Sequence, residues 1–505
     1  MRHNLTAPWT CFAMELETTW AGLRAAVVAA ETRAAAAAGA GAAPGVDDVP
    51  EACPLFAAAA GNPDSVLNTA RYMFFDTRCG VLASVGGASG DRVALVPFCH
   101  TGYSNPWHKS VQLVDHGGRR LHSVQEYAQA KWEATRTGAP RPEPMLPLDR
   151  WWLNGAVVCN VAPPPGRPPW STESLPVVAE MLQATASAAR AAGAPLPGSV
   201  FFLNRRDHPV VPMGLGRAQG PRGPHGPYWR HAVYPIRSRG RLPAALAPVF
   251  SYYVGPGVQD WAMPLPEDWA VAQAATDWAT VRAEHPLSAR PRRAVFRGTA
   301  TGTQRAALAA HARSHDPLQE VLDVGITGWN TGRDRVVLSP DGGTMTVTYS
   351  VAPDRGVPRV GLRDQAVGHQ FIVYCDGHCA ASRYGALMHT GSVIVRVASA
   401  DPDAGQSWLM PALQGAQPGS SDTVWAAADH VLCAGVQDVL PTVQWLVRQP
   451  QSVLDAVAAN AVARAPTIEG IVAYWDAALR RAARCHAPTG TLWTSADARY
   501  ADLPL

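Results

Sequence analysis

The order of apolar and polar positions divides this chain into blocks with different periods. From residue 176 onward, Val178, Met181, Leu182, Thr185, Ala188, Ala189 and Ala192 recur at helical spacing and share one face. Ser174 supplies a capping hydroxyl, Pro176 suits a first turn, and Gly193 with Pro195 ends the segment. The apolar run at 199–204 then reads as a buried strand leading into Arg205-Arg206-Asp207-His208-Pro209. In an α/β unit, the carboxyl end of a strand is where ligands are held, so this charged cluster is a candidate site. Earlier strand-like runs lie at 80–85 and 92–98, and folded sequence begins near 70–75.

A second α/β block opens near Arg292. Strand 294–296 leads into the turn 298–303 and a helix over 304–314, and further strands are predicted at 335–338, 344–350, 370–374 and 392–397. Helices are predicted over 436–448, over 452–465 with Pro466 as the stop, and over 467–484. Residues 1–55 read as an Ala-rich helix and linker, and 214–242 as a long loop. Strands alternating with helices in two blocks predict two Rossmann-like domains facing each other.

Composition narrows the function. At 505 residues and 47% hydrophobic the chain can bury a large core, and two to four domains are expected. The formal net charge is +3 with 16% charged residues, and no dense Lys/Arg block points to nucleic acid. Lysine occurs only at 109 and 131, so any lysine-based phosphate grip must use one of those two. Nine cysteines form no disulfide framework, and their odd number leaves at least one outside an internal pair. The first sixteen residues lack a basic head followed by an apolar core. The Ala-rich run 25–43 carries Glu31 and Arg33, which breaks the roughly 18 apolar residues a membrane span needs. The terminal ADLPL is no ER-retention sequence, so a cytoplasmic or otherwise soluble intracellular protein without a membrane span is expected.

Three clusters carry candidate chemistry. The stretch VFRGTATGTQR, 295–305, sets Arg297 and Arg305 around two glycines and three threonines. It is not a P-loop: Gly298 to Gly302 is one residue short, and Thr303 stands close to where the lysine would be. Its glycine spacing does not fit a dinucleotide fingerprint either. Two readings remain: a tight strand–turn–helix joint, or a phosphate cradle of backbone N–H groups, Thr hydroxyls and arginine at a helix N-terminus. Arg206-Asp207 is either a surface ion pair or a general base at a strand end. The third cluster runs from Tyr374 to Tyr384. Within it, Cys375, His378 and Cys379, with His389 beyond, resemble metal ligands but lack a second ligand pair nearby, so no metal is expected.

In order, these clusters resemble glycosyltransferase family 90, the capsule-associated (CAP10-like) and Rumi-like protein O-glucosyltransferase group. The matching segments are Asn204-Arg205-Arg206-Asp207-His208-Pro209, then Asp260-Trp261-Ala262-Met263-Pro264 with Trp269. Next come Phe296-Arg297-Gly298-Thr299-Ala300-Thr301-Gly302, and then Tyr374-Cys375-Asp376-Gly377 with Ser382, Arg383, Leu387, Gly391 and Ser392. Thr299 replaces the usual Ser, Trp261 a small aliphatic residue, and VLCAG stands in place of Y-x-P-V after Asp429-His430.

The resemblance covers about residues 195–465 and implies a GT-B-like α/β architecture. An acceptor-side domain would span 56–262, a donor domain 263–465, and a C-terminal helix in 466–505 would pack back on the first domain. It implies Asp207 as the base, with Asn204, Arg206 and Asp260 in support. Arg297, Gly298, Thr299, Thr301, Gly302, Arg305, Asp376, Arg383 and Ser392 would hold the donor nucleotide and its diphosphate. The implied reaction is inverting, metal-independent transfer of glucose or xylose from a UDP-sugar to a hydroxyl of a protein or glycan, without a cofactor. Two alternatives are a catalytically inactive glycan-binding or structural relative and a phosphotransferase. Against the phosphotransferase stands the absence of both a P-loop lysine and a paired-carboxylate Mg²⁺ motif.

Overall fold

The computed structural model describes residues 65–77, 79–85, 93–99, 111–115, 120–121, 136–137, 155–159, 174–204, 210–211, 246–254, 260–300, 303–318, 320–328, 335–338, 344–347, 354, 356–377, 380–399 and 406–485. The predicted N-terminal helix and the predicted loop 214–242 lie outside these residues. The described chain is a mixed α/β structure containing two larger sheets with parallel strands.

The first sheet has the order β2-β1-β6-β7-β8, formed by Cys79–Val85 (β1), Val93–Cys99 (β2), Ser199–Leu203 (β6), Val249–Ser251 (β7) and Trp261–Ala262 (β8). A hairpin joins β1 to β2, β1 runs antiparallel to β6, and β6, β7 and β8 are mutually parallel. A separate small sheet holds Val111–Asp115 (β3), Arg120–Leu121 (β4) and Gly155–Cys159 (β5). Helix α1 is Ser65–Arg71, and Ser174–Ala191 is α2, the helix read from the apolar face after residue 176. Its end is marked by Gly193 at φ +72°, a conformation that favours glycine.

The second sheet is wholly parallel, with the order β10-β9-β13-β14-β16-β15. Its strands are Ala294–Thr299 (β9), Leu322–Gly328 (β10), Phe371–Tyr374 (β13), Val393–Val397 (β14), Gly415–Ala416 (β15) and His430–Cys433 (β16). A hairpin of Arg335–Leu338 (β11) and Thr344–Val347 (β12) lies apart from it. Helices α3 (Pro266–Gln273) and α4 (Ala275–Glu284) precede this sheet, and α5 (Thr303–His315) follows β9. Then come α6 (Leu362–Gly368), α7 (Tyr384–His389), α8 (Asp422–Ala427), α9 (Val439–Val447), α10 (Gln451–Ala463) and α11 (Ile468–Cys485).

A parallel sheet must be covered on both faces, and alternate β9 residues divide between two cores accordingly. Ala294 and Phe296 join Leu308, Ala309 and Ala312 of α5, while Val295 joins Ala366, Ile372, Tyr384 and Ile394. The amphipathic α11 does not stay with this sheet. Ile471, Trp475, Leu479 and Ala482, spaced by one turn, are buried among Val178, Leu182, Phe201 and Phe250 around the first sheet. Tyr474 donates from its hydroxyl to Ala262 O at 2.6 Å, and the Arg481 guanidinium lies 4.7 Å from the Trp261 ring centre.

The strand order contains a reversal. From β9 the chain passes outward to β10, then crosses back to place β13 on the other side of β9. Ligands of open α/β sheets bind beyond the carboxyl ends of two such strands, here Thr299 and Tyr374.

Candidate functional site

The carboxyl ends of β9 and β13 are tied together by Arg305, in the first turn of α5. Its Nε donates to Cys375 O and its Nη1 to Thr299 O, each at 3.0 Å. The second guanidinium here belongs to Arg383, immediately before α7. Its Nη1 donates to Arg297 O at 2.7 Å, and its plane sits 5.0 Å from the centre of the Phe296 ring. Although the residue is partly exposed, its Nε and Nη2 are shielded from solvent and have no hydrogen-bond partner among the described residues. Burial, reinforced by the charge of Arg305, lowers the Arg383 pKa to about 10, which still leaves it protonated at neutral pH.

A shielded cation with two idle donors is unfavourable unless an anion completes it. Asp376 is the nearby carboxylate, but its Oδ1 accepts from Ala381 N at 3.3 Å, and Tyr374 also bonds to it. Tyr374 closes the same turn through Ala381 N, at 2.8 Å. Burial raises the Asp376 pKa, opposed by Tyr374 and then Arg396. Arg396 and Arg305 thus act on this carboxylate, and Arg305 also acts on Arg383.

Arg297 is not one of the idle cations. It extends toward β10, where Nη2 contacts both carboxylate oxygens of Asp323 at 2.8 Å, while Nη1 donates to Asp323 O and Phe296 O at 3.0 Å. A diphosphate role for Arg297 would require this pair to open. Thr299 stands at the end of β9, against Gly328 of β10. A Cβ at Gly328 would come within 2.4 Å of the Thr299 Oγ1, so glycine permits that hydroxyl its position. At Gly298 a Cβ would meet the Phe296 ring at 3.1 Å. Thr301 and Gly302 lie outside the described residues.

Ser392 is not brought to this cluster. It precedes β14, at the opposite end of the parallel sheet, where it accepts from Arg290 Nη1 at 2.8 Å and donates to His369 O at 3.3 Å. The turn before it needs Gly391, at φ +68°.

A second polar cluster occupies the carboxyl ends of β6 and β7. Asn204 Nδ2 donates to Ser251 Oγ at 3.0 Å, and Ser251 donates to Asp260 Oδ1 at 2.6 Å. The Asp260 carboxylate also accepts from Val210 N at 2.8 Å and Val211 N at 2.6 Å. Burial pushes Asp260 up to about 6, against the opposing pull of these hydrogen bonds. Arg206 and Asp207 lie outside the described residues, but the network holds both ends of the segment that carries them. Tyr253 and Leu265 pack on Ala380, so the chain leaving Ser251 touches the turn that follows Asp376.

Sequence reasoning did not find Asp323, Ser251 or Asp268. The first two lie within or at the end of short strands, and their partners come from distant parts of the chain. Asp268, in α3, is wholly buried, and its Oδ2 accepts from Trp408 Nε1 at 2.7 Å and Leu265 N at 3.3 Å. Its Oδ1 has no hydrogen-bond partner among the described residues and faces Gly385 of α7, where a Cβ would come within 2.1 Å. Burial, with a smaller contribution from Glu267, pushes its carboxyl up to about 7. Below about pH 4 folded and unfolded chains both carry this proton; between about 4 and 7 only the folded chain does. Stability is therefore expected to fall across that window as pH rises, by on the order of 4 kcal/mol from this group. Urea unfolding at pH 5 and pH 8 should show a smaller difference in Asp268→Asn than in the wild type. An unchanged difference would assign the pH dependence elsewhere.

Among the described residues, no group of three or more His, Cys, Asp or Glu is placed to hold a metal, and His378 and Cys379 are outside them. No described helix is long and apolar enough to cross a membrane. No protein-family model matches this chain, and no curated protein matches its sequence.

Proposed function

We propose that this chain is an inverting glycosyltransferase of GT-B-like architecture that uses a UDP-sugar, with glucose or xylose as the transferred group. The observation that carries the reading is Arg383: a cation with two shielded, idle N–H directions at the reversal point of a parallel sheet, beside Arg305 and the start of α5. That arrangement suits a diphosphate, whose negative charge grows as it leaves the sugar. Asp207 takes the proton of the acceptor hydroxyl, on a protein or a glycan. The hydroxyl oxygen bonds to the anomeric carbon as the bond from that carbon to the diphosphate oxygen breaks, and the electron pair leaves with the nucleotide. Attack on the face opposite the leaving group inverts the centre, by the geometric logic of a base and a leaving group on opposite faces. Asp260 holds the amides of Val210 and Val211, the described residues that follow the segment bearing the base.

The order of the four sequence segments that resemble glycosyltransferase family 90 supports the same reading. Its test is ligand-induced stabilisation. UDP at about 100 times its Kd should add about 2.7 kcal/mol to folding, while GDP should add less. With UDP-glucose or UDP-xylose, release of UDP should accompany an anomeric proton of inverted coupling by NMR. A chain stabilised by no nucleotide would overturn the proposal.

A further inference from the structure

The hairpin at the edge of the first sheet sets two cysteines against each other, and glycosyl transfer uses neither. In the antiparallel register of β1 and β2, Cys79 stands directly opposite Cys99, and together they form the end pair of the ladder. Strand positions alternate between the two faces of a sheet, so both cysteines fall on the face that carries Val81, Ala83, Val85 and Leu95 of the core. Pro97 decides the type of pairing. It lies opposite Val81 and has no N–H, so these two residues cannot exchange the N–H···O bonds of a hydrogen-bonded pair. Val81 and Pro97 are therefore a non-hydrogen-bonded pair, and the imide nitrogen of Pro97 falls on the open side of β2, the edge strand. Pair types alternate along an antiparallel ladder, so Cys79 and Cys99, two residues on, are of the same type. Such pairs set Cα atoms about 4.5 Å apart, inside the roughly 4.4–6.8 Å over which a disulfide closes.

We propose that Cys79 and Cys99 are a redox-active pair that closes a cross-strand disulfide on reaction with a small-molecule disulfide such as oxidised glutathione. The thiolate of one cysteine attacks the S–S bond of oxidised glutathione, forms a mixed disulfide and releases one glutathione thiolate. The thiolate of the other cysteine then displaces the second glutathione and forms the Cys79–Cys99 bond. The protons given up by the two cysteines pass to the two glutathione thiolates, so one disulfide is reduced as the other forms. Cys375 and Cys433 do not compete: they are buried and free, and burial pushes their thiols up to about 12 and about 11. Val81 pairs with Leu203, the last residue of β6, so the bond pins the hairpin at the end of the first sheet that carries Asn204 and Asp260. The inference does not depend on the proposed transferase activity.

The test equilibrates the full chain in glutathione buffers from fully reduced to fully oxidised, alkylates it under denaturing conditions and digests it with trypsin. Cleavage after Arg78, Arg92 and Lys109 places Cys79 and Cys99 on separate peptides, 79–92 and 93–109, each with a single cysteine. Mass spectrometry of the oxidised chain should find these peptides joined, and dithiothreitol should separate them. This readout uses the wild type and needs no variant to fold. The oxidised wild type should also show a rise in Tm over the reduced protein, because a cross-link constrains the unfolded chain. Cys79→Ser, Cys99→Ser and the double variant should lose that rise, and Cys99→Val serves as a second replacement suited to a strand. Recovery of both peptides alkylated and unjoined from the most oxidising buffer, or of either joined only to another cysteine, would overturn the proposal.

Discussion

Replacing Arg383 by methionine is expected to raise the stability of the ligand-free protein while abolishing its stabilisation by UDP. The two effects have opposite signs because they act on different states. Without ligand, Arg383 is a shielded cation with Nε and Nη2 unpaired, held by one bond to Arg297 O and by the Phe296 ring. Removing such a charge in favour of an apolar side chain of similar length stabilises by about 1–4 kcal/mol, and a thioether still packs well on a ring. With UDP bound, the same substitution removes two charge-assisted hydrogen bonds, each worth about 1.5–3 kcal/mol, so affinity should fall by about 10²–10⁴-fold. Thermal unfolding with and without UDP reads both effects. A variant that is less stable and binds UDP normally would make Arg383 a purely structural residue.

The second large effect is expected at Asp207. Asparagine there should lower transfer by about 10²–10⁴-fold, the range ascribed to a positioned general base, and leave UDP binding unchanged. In the proposed reading donor binding belongs to the second sheet and deprotonation to the first, so the two measurements separate. Single-turnover rates at saturating UDP-sugar, together with UDP affinity by calorimetry, would show whether both fall together; if they do, Asp207 is not the base. The separation relies on the described residues flanking the segment staying intact, where Asn204, Ser251, Asp260 and Val210 are joined by hydrogen bonds.

The contrast between Arg297 and Arg383 shows how far sequence carries in this site. Both arginines stand in the segments that resemble the family, and nothing local distinguishes them as anion ligands. Arg297 meets Asp323 because β10 pairs with β9 in a parallel register that sets Asp323 beside Val295. Arg383, immediately before α7, donates from Nη1 to Arg297 O across to β9, and its Nε and Nη2 find no partner among the described residues. Ser392 illustrates the same limit. It follows Arg383 closely in sequence, yet the short helix α7 carries the chain back along the sheet to the amino end of β14.

Elements were legible where their periods were unambiguous. The helices predicted over 304–314 and 467–484 appear as Thr303–His315 and Ile468–Cys485, and strand 335–338 appears as Arg335–Leu338. Strand 294–296 is longer than predicted, ending at Thr299, because β10 supplies partners as far as Gly328. Leu322–Gly328 and His430–Cys433 escaped notice, since an aspartate, two glycines and a histidine interrupt the apolar runs expected of buried strands. By itself, then, the sequence determined the local elements, the mixed α/β class and the order of the chemically suggestive segments, because helix and strand periods depend on near neighbours. Strand order and the identity of the arginine left unpaired were decided only by the tertiary structure, because a guanidinium is neutralised by whichever carboxylate or carbonyl distant strands bring to it.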